Sequence, residues 1–465
     1  MLRRAPRIHT GLMTDLYHPD SAFVSWRAGL NGLTTFDLYT RAAPFGSAYL
    51  LIAGIEAALE FAQAFRYTSE DLRFLAHIRD YDSAFLDNLA ELRFTGEILA
   101  MPEGTIAFPN EPILRVTAPF REAILLESGL LQAINLSTLI ATKASRIVFA
   151  AEQGHPRRVA EFAFRRAQEP LTVARASYIG GCASTSLLDA AYEFRLPATG
   201  TVPHALIELF PTELDAFEAI AAAYNRYTLL LDTYDPRQAI HTAIEVALRS
   251  QETLGHTLAA VRLDSGDIVD DSIYVREQLD LAGLNNVRIL ASGDLDEWKI
   301  TDLLKAGAAI DSFGVGTALG GGIGSAERGV EGGALGGVYK EVWYVDEEGN
   351  QIPKVKTAGV KSTWPGKKEI YRHPHWEEDI IQLEHEPRPG NYQRLLRPVM
   401  RNGKIIPGSL PPLTEIRELA QQNLQAIPIQ YRALTVENPY PVRFSESLQA
   451  LLKQATEATG NTLST

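Results

Sequence analysis

Four apolar runs recur between residues 228 and 317, and each of them ends in polar residues. They read TLLLDTYD (228–235), LAAVRLDSGD (258–267), NVRILASGD (286–294) and AAIDSFGVGT (308–317). Helical patterns follow the first three runs, and Gly255, Gly283 and Gly307 stand where those helices can end. A strand, a polar loop and a helix repeated at a regular interval are typical of βα units in a parallel sheet.

The repeat predicts an α/β fold with a parallel sheet, which can close into a (β/α) barrel. An open, doubly wound sheet is the alternative, because the same repeat builds both folds. In either fold the loops after the strands meet at the carboxyl ends of the strands, where ligands bind. We expect one cavity there to be lined by Asp232, Asp264, Asp267, Ser292, Gly293, Asp294, Gly314, Gly316 and Thr317. A single Asp at a strand end is as often only the cap of the next helix, but four successive polar ends weaken that interpretation.

The segments outside this repeat show other patterns. A helical alternation of Leu, Ile and Ala spans 47–66, whereas 94–119 turns every few residues and predicts a string of short strands. We therefore predict an N-terminal α+β domain over 1–130 and a barrel-like catalytic domain over 131–345. The segment 346–465 is expected to return to the α+β domain and to end in a C-terminal helical extension.

Composition and charge narrow the class of protein. The 465 residues are 46% hydrophobic and 22% charged, which is typical of globular proteins. The 44 basic and 57 acidic side chains give a net charge of −13, so we expect no nucleic-acid partner. Cys182 is the only cysteine, which excludes an internal disulfide and fits a reducing compartment. No apolar run reaches the about 18 residues that span a bilayer, and no signal peptide is recognisable, so we expect a cytoplasmic protein with no membrane contact.

Two strings outside the repeat carry candidate chemistry. In RRVAEFAFRRAQ (157–168), two arginine pairs flank Phe162 and Phe164. Arginine forks bind carboxylates and phosphates, and an aromatic face stacks on a flat ring. In GTVPHALIELF (200–210), His204 stands in a turn between two apolar stretches. A lone histidine is more often structural than catalytic, so both interpretations of His204 stay open.

Three segments have plainer alternatives to a functional role. The string ASYIGGCASTSLLDAA (176–191) opens a helix and suits an anion or an amide, but it also fits an ordinary turn. The glycine-rich segment 314–337 can wrap backbone amides around a phosphate, although its composition favours a flexible loop. The lysine-rich segment 354–372 suits an anionic ligand, but its composition favours a solvated charged face.

Taken together, these strings resemble the nicotinate phosphoribosyltransferase family. The resemblance runs in unbroken order from TDLY (14–17) through FTGEILAMPEG, EFAFRRAQ, ASYIGGCASTS, GTVPH, DTYD, VRLDSGD, ASGDLDE, FGVGT and ALGGVYK to KSTWPGKK (361–368). It implies the type II phosphoribosyltransferase fold, which has an N-terminal α+β domain, an α/β funnel or irregular barrel and a C-terminal extension. It also implies a homodimer whose active sites are shared between the subunits.

The resemblance further implies a reaction and the residues that perform it. Nicotinate and 5-phosphoribosyl 1-diphosphate give nicotinate mononucleotide and diphosphate in NAD biosynthesis, with Mg²⁺ and with ATP hydrolysed through a phosphohistidine. His204 matches that histidine, and Asp232 and Asp264 match carboxylates that stabilise the transition state. The residues implied at nicotinate are Tyr17 from the other subunit, Phe162, Arg165, Thr201 and Arg262. The residues implied at the phosphates are Ser292, Gly293, Asp294, Gly314, Gly316, Thr317, Lys356 and Lys361.

Several positions depart from the family strings. Ala163 and Glu169 stand where the family usually has glycine. Pro203 and Ala205 flank His204 where the family commonly has alanine and serine. The missing serine hydroxyl bears on how a phosphohistidine is held, and therefore on the coupling to ATP.

Three alternatives remain at the level of the sequence. The first is transfer to nicotinamide or quinolinate, because arginine also hydrogen-bonds to an amide oxygen. The second is a lyase with a divalent metal ion bound by Asp232, Asp264 and Asp294. The third is a lapsed enzyme that is kept as a ligand-binding subunit.

Overall fold

Two compact units make up the protein in the computed structural model, which describes residues 9–356 and 363–459. The first unit contains the described residues up to Thr142 and those from Ala334 onward. The second unit is Lys143–Gly333. The chain therefore leaves the first unit once and later returns to it.

Helices and strands alternate along most of the chain. Up to the end of the first long helix they are α1 (Tyr17–Arg27), β1 (Leu33–Thr40), β2 (Leu50–Leu51), α2 (Ile55–Ala64), α3 (Ser69–Ile78), α4 (Ser83–Glu91), β3 (Glu97–Ala100), β4 (Ile106–Ala107), β5 (Leu114–Pro119), α5 (Phe120–Leu125) and α6 (Glu127–Ala151). The second unit continues with β6 (Arg158–Glu161), α7 (Pro170–Ile179), β7 (Ser184–Thr185), α8 (Leu188–Phe194), α9 (His204–Glu208), α10 (Glu213–Ala223), β8 (Arg226–Leu230), α11 (Pro236–Leu254), β9 (Thr257–Leu263), α12 (Ile268–Leu281), β10 (Arg288–Ala291), α13 (Glu297–Lys305), β11 (Ser312–Val315) and α14 (Thr317–Gly320). The rest of the first unit has β12 (Gly337–Val345), β13 (Gln351–Pro353), β14 (Lys368–Arg372), β15 (Asp379–Leu383), β16 (Gln393–Arg394), β17 (Arg397–Arg401), β18 (Lys404–Ile405), α15 (Leu413–Ala426), α16 (Ile429–Arg432), β19 (Val442–Phe444) and α17 (Glu446–Ala458). Short 3-10 helices lie at Thr10–Leu12, Pro44–Gly46 and Ala326–Arg328.

The second unit is built on a six-stranded sheet in which every neighbouring pair is parallel. The strand order is β7-β6-β11-β10-β9-β8, so the first strand of the unit pairs with the last, and Val159 lies opposite Phe313. Taken as a circle, the strands follow one another in chain order, with an opening between β7 and β8. This half-barrel confirms the predicted α/β barrel class. The doubly wound alternative is wrong, because such a sheet starts near its middle and grows outward.

Helix α11 shows why the βα repeat folds as its pattern predicts. The side chain of Asp235 accepts a hydrogen bond from the backbone N–H of Arg237, and Pro236 occupies the first helical position. The buried face of the helix includes Ile240, Ala243, Val246 and Ala247. Gly255 follows the last turn with a φ of +70°, so the helix ends at the predicted glycine.

A seven-stranded sheet in the first unit takes strands from both ends of the chain. Its order is β13-β12-β1-β5-β3-β17-β18, and every neighbouring pair is antiparallel. Strands β3, β4 and β5 confirm the string of strands predicted in 94–119. The domain boundaries expected after residues 130 and 345 stay predictions.

The helix predicted over 47–66 is shorter than its pattern indicates. Leu50–Leu51 form β2, which pairs with β4, and α2 begins only at Ile55. Gly54 precedes α2 with a φ of +94°, and a Cβ atom there would lie 2.3 Å from the carbonyl oxygen of Ala133. A residue with a side chain does not fit, so the chain turns at Gly54 and the apolar residues before it belong to a strand.

The lysine-rich segment contains two buried cations, and its interpretation as a solvated face is wrong for both. The first is Lys368, whose Nζ lies 2.8 Å from Oδ2 of Asp37 and donates to the carbonyl oxygens of Trp364 and Gly366. Oδ1 of Asp37 also accepts a hydrogen bond from Nε of Arg115 at 3.0 Å. Burial alone would raise the pKa of Asp37, but the charges of Lys368 and Arg115 outweigh it and the pKa is lowered.

Arg372 is the second buried cation of this segment, and it lies between two carboxyl groups. Its Nε donates to Asp379 at 3.0 Å, and the hydroxyl of Tyr440 donates to the same carboxylate at 3.0 Å. Oε2 of Glu111 lies 3.8 Å from Nη2 of Arg372. Burial and then the negative charge of Asp379 raise the pKa of Glu111 well above its ordinary value. One guanidinium therefore lies between two buried carboxyl groups, those of Asp379 and Glu111.

Cys182 is buried, as expected of a small core residue. Within 9–356 and 363–459, no helix combines the length and the apolar character that crossing a bilayer requires. The cytoplasmic location stays a prediction.

We predict that Asp379→Asn and Glu111→Gln differ in cost, although each removes one buried carboxyl group. Asp379→Asn leaves the buried charge of Arg372 without its close partner and should lower the free energy of unfolding by about 3 to 5 kcal/mol. Glu111→Gln exchanges a carboxyl group of raised pKa for a neutral amide of the same shape and should cost less than about 1 kcal/mol. Chemical denaturation at pH 7 measures both, and equal losses would contradict the assignment.

The same cluster predicts how stability depends on pH. Because the pKa of Glu111 is raised on folding, the folded protein holds this proton more tightly than the unfolded chain does. The free energy of unfolding should therefore fall as the pH rises from the unfolded pKa toward the folded one. Glu111→Gln should remove this part of the fall, and an unchanged slope in the variant would show that another group causes it.

Candidate functional site

The polar residues after β8, β9 and β10 are joined to one another by hydrogen bonds. Oδ2 of Asp232 accepts from the backbone N–H of Asp264 at 2.9 Å and from the hydroxyl of Ser265 at 2.7 Å. The side chain of Asp264 in turn accepts a hydrogen bond from Ser292, which follows β10. Three neighbouring strand ends therefore form one connected group of polar side chains.

The guanidinium of Arg262, on β9, is divided among three partners. Nε donates to Oγ of Ser292 at 2.8 Å, Nη1 donates to Oγ1 of Thr201 at 2.9 Å, and Nη2 donates to Oδ1 of Asp264. Only 15% of the Arg262 side chain is exposed. Because the guanidinium is planar and its donors point in fixed directions, Arg262 sets the relative positions of its three partners.

Asp264 is held in its ionised form. Burial raises its pKa, but the hydrogen bond from Ser292 and the charge of Arg262 outweigh burial and lower the pKa below its ordinary value. The charge of His204 acts in the same direction. A carboxylate that stays ionised here can stabilise positive charge that develops on a bound molecule.

His204 is the first residue of α9 and stands next to Asp264. Its Nδ1 lies 3.1 Å from Oγ1 of Thr233, and its Nε2 lies 4.0 Å from Oδ2 of Asp264. The side chain is 39% exposed, so solvent and ligands can reach the ring. This placement leaves the ring open to a ligand, and the catalytic role of His204 stays a prediction.

Asp232 has one carboxylate oxygen to offer a ligand. Its Oδ1 is buried and has no hydrogen-bond partner among the described residues. Within residues 9–356 and 363–459, no group of three or more His, Cys, Asp or Glu side chains is arranged to hold a metal ion. Mg²⁺ commonly binds one or two protein carboxylates and completes its shell with substrate phosphates and water. The residues therefore fit a magnesium ion that arrives with a phosphorylated substrate.

Glycines at the late strand ends let the backbone come close to other groups. Gly293 has a φ of +94°, and a Cβ atom there would lie 1.9 Å from the carbonyl oxygen of Asp264. A Cβ atom at Gly314 would lie 2.4 Å from the ring of Phe162, and one at Gly316 would lie 2.9 Å from the Phe162 carbonyl oxygen. Backbone amides in such loops are not covered by side chains and can bind phosphate oxygens.

Asp294 and Thr317 connect the ends of β10 and β11. The hydroxyl of Thr317 lies 3.4 Å from Oδ1 of Asp294, and Nζ of Lys299 donates to the Asp294 carbonyl oxygen at 2.9 Å. Asp267 behaves differently from the other strand-end residues, because its side chain accepts from the backbone N–H of Asp270 and caps α12. For Asp267 the plain interpretation as a helix cap is the one that its contact supports.

The glycine-rich segment is closed on itself. The backbone N–H of Gly333 donates to the carbonyl oxygen of Gly322 at 2.6 Å. Within the closed loop, Nη2 of Arg328 lies 2.9 Å from Oδ2 of Asp302 on α13. These contacts attach the segment to the second unit, and the flexible loop stays a prediction.

The loop after β6 carries an aromatic ring and exposed arginines. The backbone N–H of Phe162 donates to the carbonyl oxygen of Val315 at 2.8 Å, which extends the pairing of β6 with β11. Arg165 and Arg166 are exposed, and Phe162 is half-buried. A guanidinium and an aromatic ring in one loop suit a planar anion.

The remaining predicted residues lie outside the second unit. Tyr17 is 55% exposed, and its ring centroid lies 4.0 Å from that of His18. Partial burial and the charge of Glu127 raise the pKa of the Tyr17 hydroxyl. Lys356 is exposed, and Lys361 lies outside the described residues.

Three contacts at the strand ends involve residues that the sequence prediction does not include. Thr233 contacts His204, Ser265 donates to Asp232, and Glu161 places a buried carboxyl group at the end of β6. Each of the three lies in a string that the sequence singles out, directly next to a predicted residue. Adjacency is the only signal in the sequence that points to them, because a hydroxyl or a single glutamate has no distinctive pattern.

Two family models match the chain, one near each end. The nicotinate phosphoribosyltransferase N-terminal domain matches residues 12–135. The nicotinate phosphoribosyltransferase C-terminal domain matches residues 362–452. Residues 136–361, between these two matches, are included in the similarity to whole proteins.

Relatives of similar length match the chain over almost its whole length. A nicotinate phosphoribosyltransferase of Mycobacterium tuberculosis is 39% identical over 454 residues, which cover 96% of this chain and 94% of that protein. A nicotinate phosphoribosyltransferase of Bacillus subtilis is 35% identical over 470 residues, covering 94% of this chain and 93% of that protein. The crystal structure of human nicotinic acid phosphoribosyltransferase is similar with a TM-score of 0.82 and 30% identity, covering 95% of this chain and 100% of that one.

We predict that Gly293→Ala destabilises the protein more than Gly255→Ala, although both glycines have a positive φ. At Gly255 nothing lies within 4 Å of an added Cβ atom, so only the left-handed conformation costs energy, about 1 kcal/mol. At Gly293 the added atom must also displace the carbonyl of Asp264, which should cost about 2 kcal/mol more. Urea denaturation of the two variants measures the difference, and equal losses would rule out the close approach at Gly293.

Proposed function

The chain belongs to the nicotinate phosphoribosyltransferase family, which acts in NAD biosynthesis, and on this premise we propose that it transfers a phosphoribosyl group to nicotinate. The products would be nicotinate mononucleotide and diphosphate. The observation that carries the proposal is the hydrogen-bonded group of Arg262, Asp264 and Ser292, which has Asp232 and the glycine-rich strand ends next to it in the fold. It combines a fixed anion with backbone that can bind phosphate.

The proposed transfer breaks the bond between C1 of the ribose and the diphosphate oxygen, and the diphosphate leaves with the electron pair. The pyridine nitrogen of nicotinate donates its lone pair to C1, so the new bond forms without any proton transfer. C1 carries positive charge in the transition state. The ionised carboxylate of Asp264 and the carboxylate of Asp232 are the groups we expect to stabilise that charge.

The phosphates would bind at the glycine-containing strand ends. We expect the 5-phosphate to contact backbone amides of Ser292, Gly293, Gly314, Gly316 and Thr317, with Asp294 fixing the loop. Lys356 and Lys361 are proposed to neutralise the diphosphate. A magnesium ion held by Asp232 and the diphosphate would lower the charge of the leaving group.

Nicotinate would lie against the loop after β6. Phe162 supplies a face for the pyridine ring, Arg165 is exposed in the same loop, and Tyr17 is proposed to come from the second subunit of a homodimer. Arg262 and Thr201 are hydrogen-bonded to each other and would meet the carboxylate of nicotinate together.

ATP is the proposed second substrate, and His204 is the residue that it would phosphorylate. Because Nδ1 of His204 contacts Thr233, we assign the phosphoryl transfer to Nε2, with ADP as the leaving group. Ala205 removes the serine hydroxyl that the family commonly has after this histidine. The hydroxyl of Thr233 offers a substitute partner for the ring at 3.1 Å.

The other hypotheses have less support. A metal-dependent lyase needs a metal ion held by the protein itself, and the described residues contain no cluster of three or more suitable side chains. Asp294, its third proposed ligand, instead lies 3.4 Å from Thr317. A lapsed enzyme gives no reason for the joined set of Arg262 and Asp264. Transfer to nicotinamide or quinolinate is distinguished from transfer to nicotinate by the nucleotide that forms.

We propose the cytoplasm as the location of the protein.

A product assay tests the proposed function and the role of ATP together. The purified protein receives Mg²⁺, 5-phosphoribosyl 1-diphosphate and either nicotinate, nicotinamide or quinolinate, with and without ATP, and the nucleotides are separated by chromatography. We expect nicotinate mononucleotide, in a larger amount with ATP.

In His204→Ala the stimulation by ATP should disappear while slower transfer without ATP persists. His241→Ala, which changes another exposed histidine of the second unit, should keep the stimulation. Equal loss of both activities in His204→Ala would refute this division of roles.

Arg262→Ala is expected to change both nicotinate binding and the pH profile. Loss of a charged hydrogen bond to the carboxylate of nicotinate should raise its KM about tenfold or more. Because Arg262 helps to lower the pKa of Asp264, its removal should raise that pKa and move the acidic limb of kcat/KM to higher pH. Arg165→Ala is the matched control, which should raise the KM and leave the acidic limb in place. A shifted limb in both variants would show that Arg262 does not act through Asp264.

A further inference from the structure

The carboxyl group of Glu161 has no part in the proposed transfer, yet it is almost completely buried. Glu161 is the last residue of β6 and is 2% exposed. Burying a carboxyl group is costly unless hydrogen bonds compensate for the lost water. The groups that bind it therefore indicate what the residue does.

Both oxygens of Glu161 accept hydrogen bonds from residues near the strand ends. Oε1 accepts from the backbone N–H of Ala163, and Oε2 accepts from the hydroxyl of Thr185 on β7. The hydroxyl of Thr185 also accepts from the backbone N–H of Leu187 at 3.0 Å, at the start of α8. The carboxyl group thus connects the loop after β6 to the neighbouring strand and helix.

The bond to Ala163 controls the turn that presents Phe162 and Arg165. The N–H of Phe162 continues the pairing of the sheet, since it donates to the carbonyl oxygen of Val315 at 2.8 Å. The next N–H, that of Ala163, has turned away from β11 and is received by Glu161. The carbonyl oxygen of Ala163 then accepts from the N–H of Arg166 at 2.8 Å, so the same residue also fixes the turn around Arg165.

The ring of Phe162 is held from a second direction. A Cβ atom at Gly314 would lie 2.4 Å from the ring, so the ring rests directly on the backbone of the strand β11. Gly314 limits the ring on one side, and the turn set by Glu161 determines the angle at which the ring meets it. A change of that turn would tilt the ring without moving Asp264 or Ser292, to which Glu161 makes no bond.

We propose that Glu161, together with Thr185, is a positioning residue that orients Phe162 and Arg165 for the acceptor substrate. The inference rests on the proposed function, because it assigns the acceptor to this loop. Glu161 itself does not touch the substrate. It acts through the backbone of Ala163, and Thr185 acts through Glu161.

Glu161→Met tests the proposal, because methionine has a similar length and lacks both acceptor oxygens. We expect the KM for nicotinate to rise about tenfold, with the KM for 5-phosphoribosyl 1-diphosphate and kcat changed by less than about threefold. Glu161→Gln should restore the KM, because its oxygen can accept from Ala163 and its amide can donate to the hydroxyl of Thr185. Glu193→Met, a change of an exposed glutamate on α8, is the matched control and should leave all constants unchanged.

Thr185→Val keeps the test decisive if Glu161→Met does not fold. It removes the hydroxyl and keeps the shape, so the KM for nicotinate should rise about threefold while Thr185→Ser stays close to the unaltered protein. An unchanged nicotinate KM in a folded Glu161→Met or Thr185→Val protein would overturn the proposal. A parallel rise of both KM values, or a loss confined to kcat, would overturn it as well.

The outcome for the unaltered protein separates this inference from the proposed function. If the unaltered protein forms no nicotinate mononucleotide, both are overturned. If it does form the product and the variants show no selective change in KM, only the role of Glu161 is overturned.

Discussion

Oδ1 of Asp264 is the acceptor on which the arrangement of the strand ends depends. It receives hydrogen bonds from Arg262 and from Ser292, and Arg262 also donates to Ser292 at 2.8 Å. The three side chains form a closed triangle that joins the ends of β9 and β10. The backbone N–H of Asp264 adds Asp232 and therefore the end of β8. A closed polar network of this kind fixes its members more firmly than separate pairs would. Removing any one member leaves the others with unmet hydrogen bonds.

This triangle holds a positive and a negative side chain, Arg262 and Asp264, next to each other in fixed positions. Arg262 holds Asp264 ionised while Thr201 and Ser292 occupy its remaining directions. In the proposed reaction these charges are in place before a substrate arrives, so little reorganisation would be needed when charge develops on C1. The loop after β6 belongs to a separate set of hydrogen bonds, in which Glu161 accepts from Ala163 and from Thr185. The residues proposed to bind the acceptor and those proposed to stabilise charge therefore belong to different sets of hydrogen bonds.

The sequence predicts the local features of this protein well, because they depend on neighbours along the chain. The βα repeat, the end of α11 at Gly255 and the clustering of Asp232 with Asp264 all follow from short patterns. Asp267 shows the limit of such patterns, since one strand-end aspartate joins the polar group and another only caps a helix. Lys368 shows a different limit. Its carbonyl oxygen accepts from Arg115, which is 253 positions away, and no local pattern distinguishes a lysine with such partners from a solvated one.

The position of β1 has a consequence for the synthesis of the chain. Strand β1 lies between β5 and β12, and β3 lies between β5 and β17. As the chain leaves the ribosome, one edge of β1 has no partner until Val345 has emerged, and β3 waits until Arg401. The parallel half-barrel is complete in sequence before either of these strands is covered. The N-terminal strands must therefore stay soluble with unpaired edges for most of translation. Unpaired strand edges promote aggregation, and chaperones commonly protect chains in this state.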